Sequence, residues 1–251
     1  MTDTHDAAEQ PEQQEMGFFD HLGELRTCIL RSVVGMIIGS ILCGYFINEI
    51  MNALLLHPAT AANVKLQNLR PFGQAFLYFK VIVTAGVIVS TPYTIWNLWT
   101  FVAPGLYDTE RSWARSITLF TTFCFACGLA FAYFVMIPNM MSFTNSFGTA
   151  QIENNIDVNE YFGFLTTTLL SAGLIFELPM ISFVLTRMGI ISPEFLRKYR
   201  RHSIIIILIV AAILTPTPDP INQLFMAVPL YILFEISIVV SSITKRKQVR
   251  A

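Results

Sequence analysis

The sequence predicts an all-α membrane protein of six transmembrane helices with both termini in the cytoplasm, and three observations carry that expectation. Hydrophobic residues make up 54% of the 251 and charged residues only 13%, against about 25% charged in an ordinary soluble domain. The mean hydropathy is +0.57, and the apolar residues lie in six blocks with the charges confined between them, as in a chain that crosses a bilayer repeatedly. With six crossings, Lys65, Arg70 and Lys80 fall on one side and the other 13 of the 16 Lys and Arg residues on the opposite side. The positive-inside rule assigns the crowded side to the cytoplasm. A net charge of −1 gives no polyanion-binding signature, so no nucleic-acid partner is expected.

Residues 1–15 are polar and acidic (Asp3, Asp6, Glu9, Glu12, Glu15). A cleaved signal needs a positive start followed directly by an apolar core, so this stretch reads as a disordered cytoplasmic tail, and 16–243 as a single six-span membrane domain. Met16–Arg26 is amphipathic at helical spacing: Phe18, Leu22 and Leu25 share one face, Asp20 and Glu24 the other. That face is either the solvated side of an interfacial helix or a docking site for a basic peptide.

The apolar blocks run at roughly Cys28–Ile47, Phe76–Val102, Ile117–Ile137, Phe162–Leu185, His202–Leu214 and Ile221–Ile243. About 20 residues are needed to cross the hydrocarbon core, so the first four suffice and spans five and six are short. The fifth is read as a crossing because otherwise the Lys245-Arg246-Lys247 cluster would lie outside. Pro92, Pro179 and Pro229 lie inside spans and predict bends. Ser192-Pro193-Glu194 reads as an N-cap, a first-position proline and a first-turn acid, opening a short helix over Pro193–Arg201. Asp219-Pro220 repeats that signal at the start of span six. Residues 244–251 form a basic cytoplasmic tail.

Between spans two and three, Glu110 is either a first-turn carboxylate behind an Asp108 cap or a partner of Glu24. Two carboxylates on separate cytoplasmic elements are what a pair of guanidinium groups requires, because Arg binds carboxylate as a bidentate fork that Lys cannot reproduce. Glu177 sits mid-span, where an ionised acid costs about 2.5–3.5 kcal/mol, so it faces protein or water: a hydrogen bond between helices, or a wet cavity. Gln223, at the start of span six, can bond to a neighbouring helix of this chain or of a single-span partner.

Enzyme and cofactor signatures are not found. There is no His-Glu-x-x-His pattern, no Gly-x-Ser-x-Gly elbow and no Gly-rich phosphate loop, so no metal, cofactor or catalytic residue is expected. Cys28, Cys43, Cys124 and Cys127 all lie in apolar blocks, and Cys124-Phe-Ala-Cys127 reads as inert packing rather than a redox pair.

Several stretches resemble the TatC family, the multi-spanning subunit of the twin-arginine protein translocase. They are His21-Leu22-x-Glu24-Leu25-Arg26, Trp99-x-Phe101-x-Ala103-Pro104-x-Leu106-Tyr107-x-x-Glu110-Arg111, Ala130-Phe131-Ala132-Tyr133-Phe134, Phe176-Glu177-x-Pro179, Gly189-Ile190-x-Ser192-Pro193 and Thr215-Pro216…Asp219. The resemblance covers essentially all of residues 17–243. The outer connection carrying Thr217-Pro218 is a residue longer than in some relatives.

What the resemblance implies is a glove-shaped, concave bundle in a bacterial-type inner membrane that binds twin-arginine signal peptides and exports folded proteins, driven by the proton gradient. It implies a signal-peptide site made by Glu24 and Glu110 and shaped by Leu25, Arg26, Phe101 and Arg111. Glu177 matches the family's mid-span carboxylate facing the cavity, and Thr215 and Gln223 match a polar patch that receives small single-span subunits of TatA/TatB type. Homo-oligomerisation is left open. Two other readings compete: a proton-coupled small-solute transporter with Glu177 as relay, and a structural scaffold for other membrane subunits.

Overall fold

Twenty-eight residues without a proline, Phe18–Tyr45, form one unbroken helix, α1, in the computed structural model, which describes residues 18–61, 64–102, 111–146, 155–214 and 220–250. The amphipathic Met16–Arg26 segment is therefore not a separate interfacial helix: from Phe18 it is continuous with the first span. Along the first span Ile29, Leu30, Val33, Val34, Ile37, Ile38 and Ile41 are between 44% and 69% exposed. No water-soluble domain presents so long an apolar face; lipid covers it.

Three helical pieces follow α1: α2 (Ile47–Ile50), π-helical turns at Met51–Leu56 and α3 (His57–Ala61). A three-residue strand β1 (Lys65–Gln67) then leads to α4 (Gly73–Val102), which keeps Pro92 inside it. The third span is α5 (Arg111–Phe131), a π-helical stretch at Ala132–Met136, and α6 (Ile137–Ser146). Strand β2 (Asn155–Asp157) pairs in parallel with β1, Leu66 opposite Ile156. The fourth span is α7 (Val158–Ile175) and α8 (Leu178–Arg187). Gly189, at φ 73°, stops α8 in the left-handed conformation that glycine adopts without a Cβ penalty. Then come α9 (Pro193–Lys198), α10 (Arg200–Leu214) and α11 (Pro220–Arg250).

Among the described residues five helical stretches are long and apolar enough to cross a membrane: Leu22–Tyr45, Gly73–Phe101, Ile117–Phe143, Val158–Arg187 and Gln223–Arg246. Block five is the exception. Its helix α10 has 15 residues, a length of about 22 Å. The expectation that span six is short is corrected: α11 has 31 residues and its apolar stretch 24, because the helix starts at Pro220 and runs on through the basic tail. The helix expected over Pro193–Arg201 ends at Lys198, and α10 begins at Arg200. The Ser192 cap is as expected, its hydroxyl accepting the Phe195 N–H at 3.2 Å. The acidic tail 1–15 and the Asp108 and Asp219 caps lie outside the described residues.

Small residues set the closest helix contacts. A methyl built on Gly86 of α4 would lie 2.6 Å from the Ser40 backbone of α1, and one on Gly39 would lie 2.9 Å from the Gly86 carbonyl oxygen. Gly128 of α5 meets the Ala172 carbonyl oxygen of α7 in the same way, at 2.6 Å. In a bilayer, where lipid is as apolar as a leucine side chain, close backbone approach is a main source of helix association. Between α8 and α11 the buried hydroxyls of Thr186 and Ser241 lie 2.6 Å apart.

Most of the core lies at one end. Leu55 and Ala59 of the first connection, Leu77 and Val81 of α4, Ala132–Met141 of the third span, and Tyr161, Phe162 and Leu165 of α7 pack together there. Asp157 fastens the same end: its carboxylate caps α7 through the N–H groups of Asn159 (2.8 Å) and Glu160 (3.3 Å). It also accepts the Leu69 N–H at 3.2 Å. Burial opposes ionisation of Asp157, but these N–H donors and the charge of Arg70 prevail and hold its carboxyl below the usual carboxylate range. At the opposite end a small cluster of Ile117, Met180 and Val184, with Trp99 and Phe183 against it, is the counterpart.

Candidate functional site

The glycine contacts give the relative position of α1 and α4. Gly44 lies beside Ile82, Gly39 beside Gly86 and Ser90, and Gly35 against the Tyr93 ring, so the two helices run antiparallel. Continuing that register by about three turns brings Glu24, Leu25 and Arg26 level with Phe101, one residue before α4 ends at Val102. Glu24 and Arg26 are exposed, while Leu25 and Phe101 are partly buried. Helix α5 starts at Arg111, on the far side of the 103–110 connection. The structure thus brings four of the six expected peptide-site residues to one end of the bundle. Glu110, the Arg111 side chain and Thr215 lie outside the described residues.

Glu177 is placed by a break that a proline in a span only hints at. Helix α7 closes with Phe176 N–H donating to the Ala172 carbonyl (3.0 Å), and α8 opens with the Glu177 carbonyl accepting from Met180 and Ile181 (3.0 and 2.9 Å). Pro179 has no N–H to continue the ladder. Glu177 is therefore the N-cap residue of α8, yet its side chain makes no capping bond. It is 8% exposed, and neither carboxylate oxygen has a hydrogen-bond partner. A buried acid without partners at mid-span is costly. Among the described residues its carboxylate makes no hydrogen bond to a neighbouring helix.

Further buried polar atoms without partners lie on the C-terminal half of α4: Thr94 Oγ1, Asn97 Nδ2 and Trp99 Nε1. Trp99 also packs against the Met180–Val184 cluster, so these groups lie toward the Glu24 end of the bundle. Sequence reasoning missed them. A polar Asn inside an apolar block was the available signal, since such groups seek a partner away from lipid.

Gln223 uses its amide within the chain, Nε2 donating to the Leu208 carbonyl at 3.0 Å and tying α11 to α10. Nearby, Phe131, Val135, Ile221, Leu224, Phe225 and Val228 line an apolar groove of about 430 Å³ between the third span and α11. Among the described residues no group of His, Cys, Asp and Glu is arranged to hold a metal ion.

Residues 20–229 match the family model described as Sec-independent protein translocase protein (TatC). The chain belongs to the TatC family. It is 36% identical to the TatC protein of Carboxydothermus hydrogenoformans over 94% of this chain and 97% of the relative. It is also 36% identical to that of Deinococcus radiodurans, over 93% and 88%. A crystal structure of the twin-arginine translocase receptor TatC superposes with a TM-score of 0.79 at 30% identity, covering 90% of this chain and 99% of that one. The TatC fold of α1–α11 thus rests on sequence and on shape together.

Proposed function

We propose that this protein is the receptor subunit of a twin-arginine protein translocase in the bacterial cytoplasmic membrane, and that it grips two adjacent arginines of a cargo signal peptide between Glu24 and Glu110. The observation that carries the site is the α1–α4 register, which sets Glu24 level with Phe101 at the mouth of the connection that bears Glu110. Each guanidinium takes one carboxylate as a bidentate fork. Leu25 and Phe101 supply apolar contacts for the residues flanking the arginines, and Arg26 and Arg111 set the local charge.

In this reading the chain crosses the bilayer six times, with both termini in the cytoplasm, as the 13-to-3 division of Lys and Arg favours. Helix α10, at about 22 Å, makes the short crossing and thins the bilayer around it, at fractions of a kcal/mol per Å of mismatch. The apolar segment of the peptide follows the concave face toward Glu177, and Thr215 and Gln223 mark where single-span partner subunits assemble. The proton gradient drives export, and the chain performs no chemical step itself.

The experiment is binding of a fluorescent signal peptide to the purified protein, as Arg-Arg and Lys-Lys versions. Loss of both forks at about 1.4 kcal/mol each weakens binding by about a hundredfold, and Glu24→Gln or Glu110→Gln alone by about tenfold. Equal affinity for the two peptides, or unchanged binding after both substitutions, overturns the site.

A further inference from the structure

The junction of α9, α10 and α11 carries more positive charge than the carboxylates around it balance. Two cations there are spoken for: Lys245 Nζ lies 2.8 Å from Glu194, and Arg200 lies 2.7 Å from Glu235. Four others, Arg197, Lys198, Arg201 and Arg246, are exposed and make no ion pair among the described residues. The Arg197 guanidinium is held toward α11 by a 3.2 Å bond to Ser242, and Arg246 stands one turn further along the same face of that helix.

Two features set the patch at a bilayer interface rather than in open solvent. The exposed rings of Phe195 on α9 and Tyr199 in the link to α10 lie 4.6 Å apart at a tilt of 44°, and Tyr199 continues onto His202 at 5.5 Å. Aromatic residues of this kind occupy the headgroup level. Three to five residues after Arg201 on α10, Ile204, Ile205 and Ile206 are exposed. Cations and aromatic rings thus alternate along α9 and the start of α10, and the exposed isoleucines of α10 follow them, as a lipid's acyl chains follow its headgroup.

We propose that this junction is a binding site for an anionic phospholipid, with the headgroup phosphate held by Arg197, Lys198, Arg201 and Arg246 and the acyl chains lying along the isoleucines of α10. An acidic peptide matches the charge but leaves the adjoining isoleucines unexplained. The site requires only that this end of the bundle meet a membrane surface. It does not use Glu24 or Glu110, so its failure leaves the receptor reading intact, and the converse also holds.

The test is native mass spectrometry of the protein in neutral detergent with added phosphatidylglycerol, cardiolipin or phosphatidylcholine. The anionic lipids are expected to remain bound and phosphatidylcholine to be lost. Near a membrane surface each removed cation weakens retention by about fivefold. The Arg197→Gln, Lys198→Gln, Arg201→Gln, Arg246→Gln variant should therefore lose about 600-fold, and Arg70→Gln with Lys80→Gln nothing. Should the quadruple variant fail to fold, the pairs Arg197→Gln/Lys198→Gln and Arg201→Gln/Arg246→Gln each carry the same test at smaller amplitude. Replacing the three arginines by lysine should preserve retention. Equal retention of phosphatidylcholine, undiminished retention by the glutamine variants, or displacement of the lipid by inorganic phosphate or a polyglutamate peptide at matched ionic strength each overturns the proposal.

Discussion

Gly86→Ala tests the contact on which the position of Glu24 depends. The added methyl would lie 2.6 Å from the Ser40 backbone, where carbon atoms ordinarily stand about 3.5–4.0 Å apart. Backbone cannot rotate away as a side chain can, so α1 and α4 must separate by about 1 Å. Overpacking of this kind costs about 1–3 kcal/mol, of which alanine's better helix propensity returns up to about 1 kcal/mol. The net loss of up to about 2 kcal/mol lowers the unfolding midpoint by up to about 8 °C for a chain of this size. Thermal unfolding in detergent, followed by circular dichroism, reads it. Gly163→Ala is the control: nothing lies within 4 Å of its added carbon, so only the propensity gain remains and the midpoint should hold or rise. If Gly86→Ala melts like Gly163→Ala, the helices do not meet where described, and the alignment of Glu24 with Phe101 fails with them.

Asp157 ties the connection between α1 and α4 to α7, and its folded-state pKa is lowered, so the stability it confers is present above the ordinary Asp value near 4 and is lost as the pH falls through the lowered one. Hydrogen exchange at Leu69, Asn159 and Glu160 should accelerate on acidification in the wild type and be fast at every pH in Asp157→Ala; pH-independent protection in the wild type refutes the latch. Glu177→Gln should leave the unfolding midpoint unchanged or raised, since a buried acid with no partner is removed, while export in cells falls; a lowered midpoint would mean that the carboxylate is structural. A double-mutant cycle of Thr186→Val and Ser241→Ala should return a coupling of about 0.6 kcal/mol, the usual size for a hydrogen bond between membrane helices, and zero coupling removes that bond from the α8–α11 contact.

The long spans were legible because hydropathy over about 20 residues needs no knowledge of tertiary structure, and the α9 start because Ser192, Pro193 and Glu194 act locally. Elements decided by distant partners were not. Strands β1 and β2 have three residues each, too few for an alternating pattern, and exist because Asp157 and Leu69 meet across 88 positions of sequence. The π-helical stretch at Ala132–Met136 departs from helical spacing by a single residue, which leaves no mark on an apolar run. At the site, Glu24 was named from the acidic face of residues 16–26 and Phe101 from a resemblance. What aligns them is Gly39 against Gly86, small residues that carry no hydrophobic signal. Glu177 was visible as an acid in a span and Pro179 as a bend. That the two together divide the helix, leaving the carboxyl without a cap to make, follows only from the backbone around them.

The continuity of α1 has a mechanical consequence. A rod of 28 residues, about 42 Å long, runs from the Glu24 end of the bundle toward the turns at Met51–Leu56, where Leu55 is buried in the main core. With Pro and left-handed Gly absent along its length, the rod has no joint to absorb a load. A force applied at the Glu24 end of α1 is therefore carried along the whole helix to Phe46, where the backbone leaves helical geometry, rather than being taken up by bending midway.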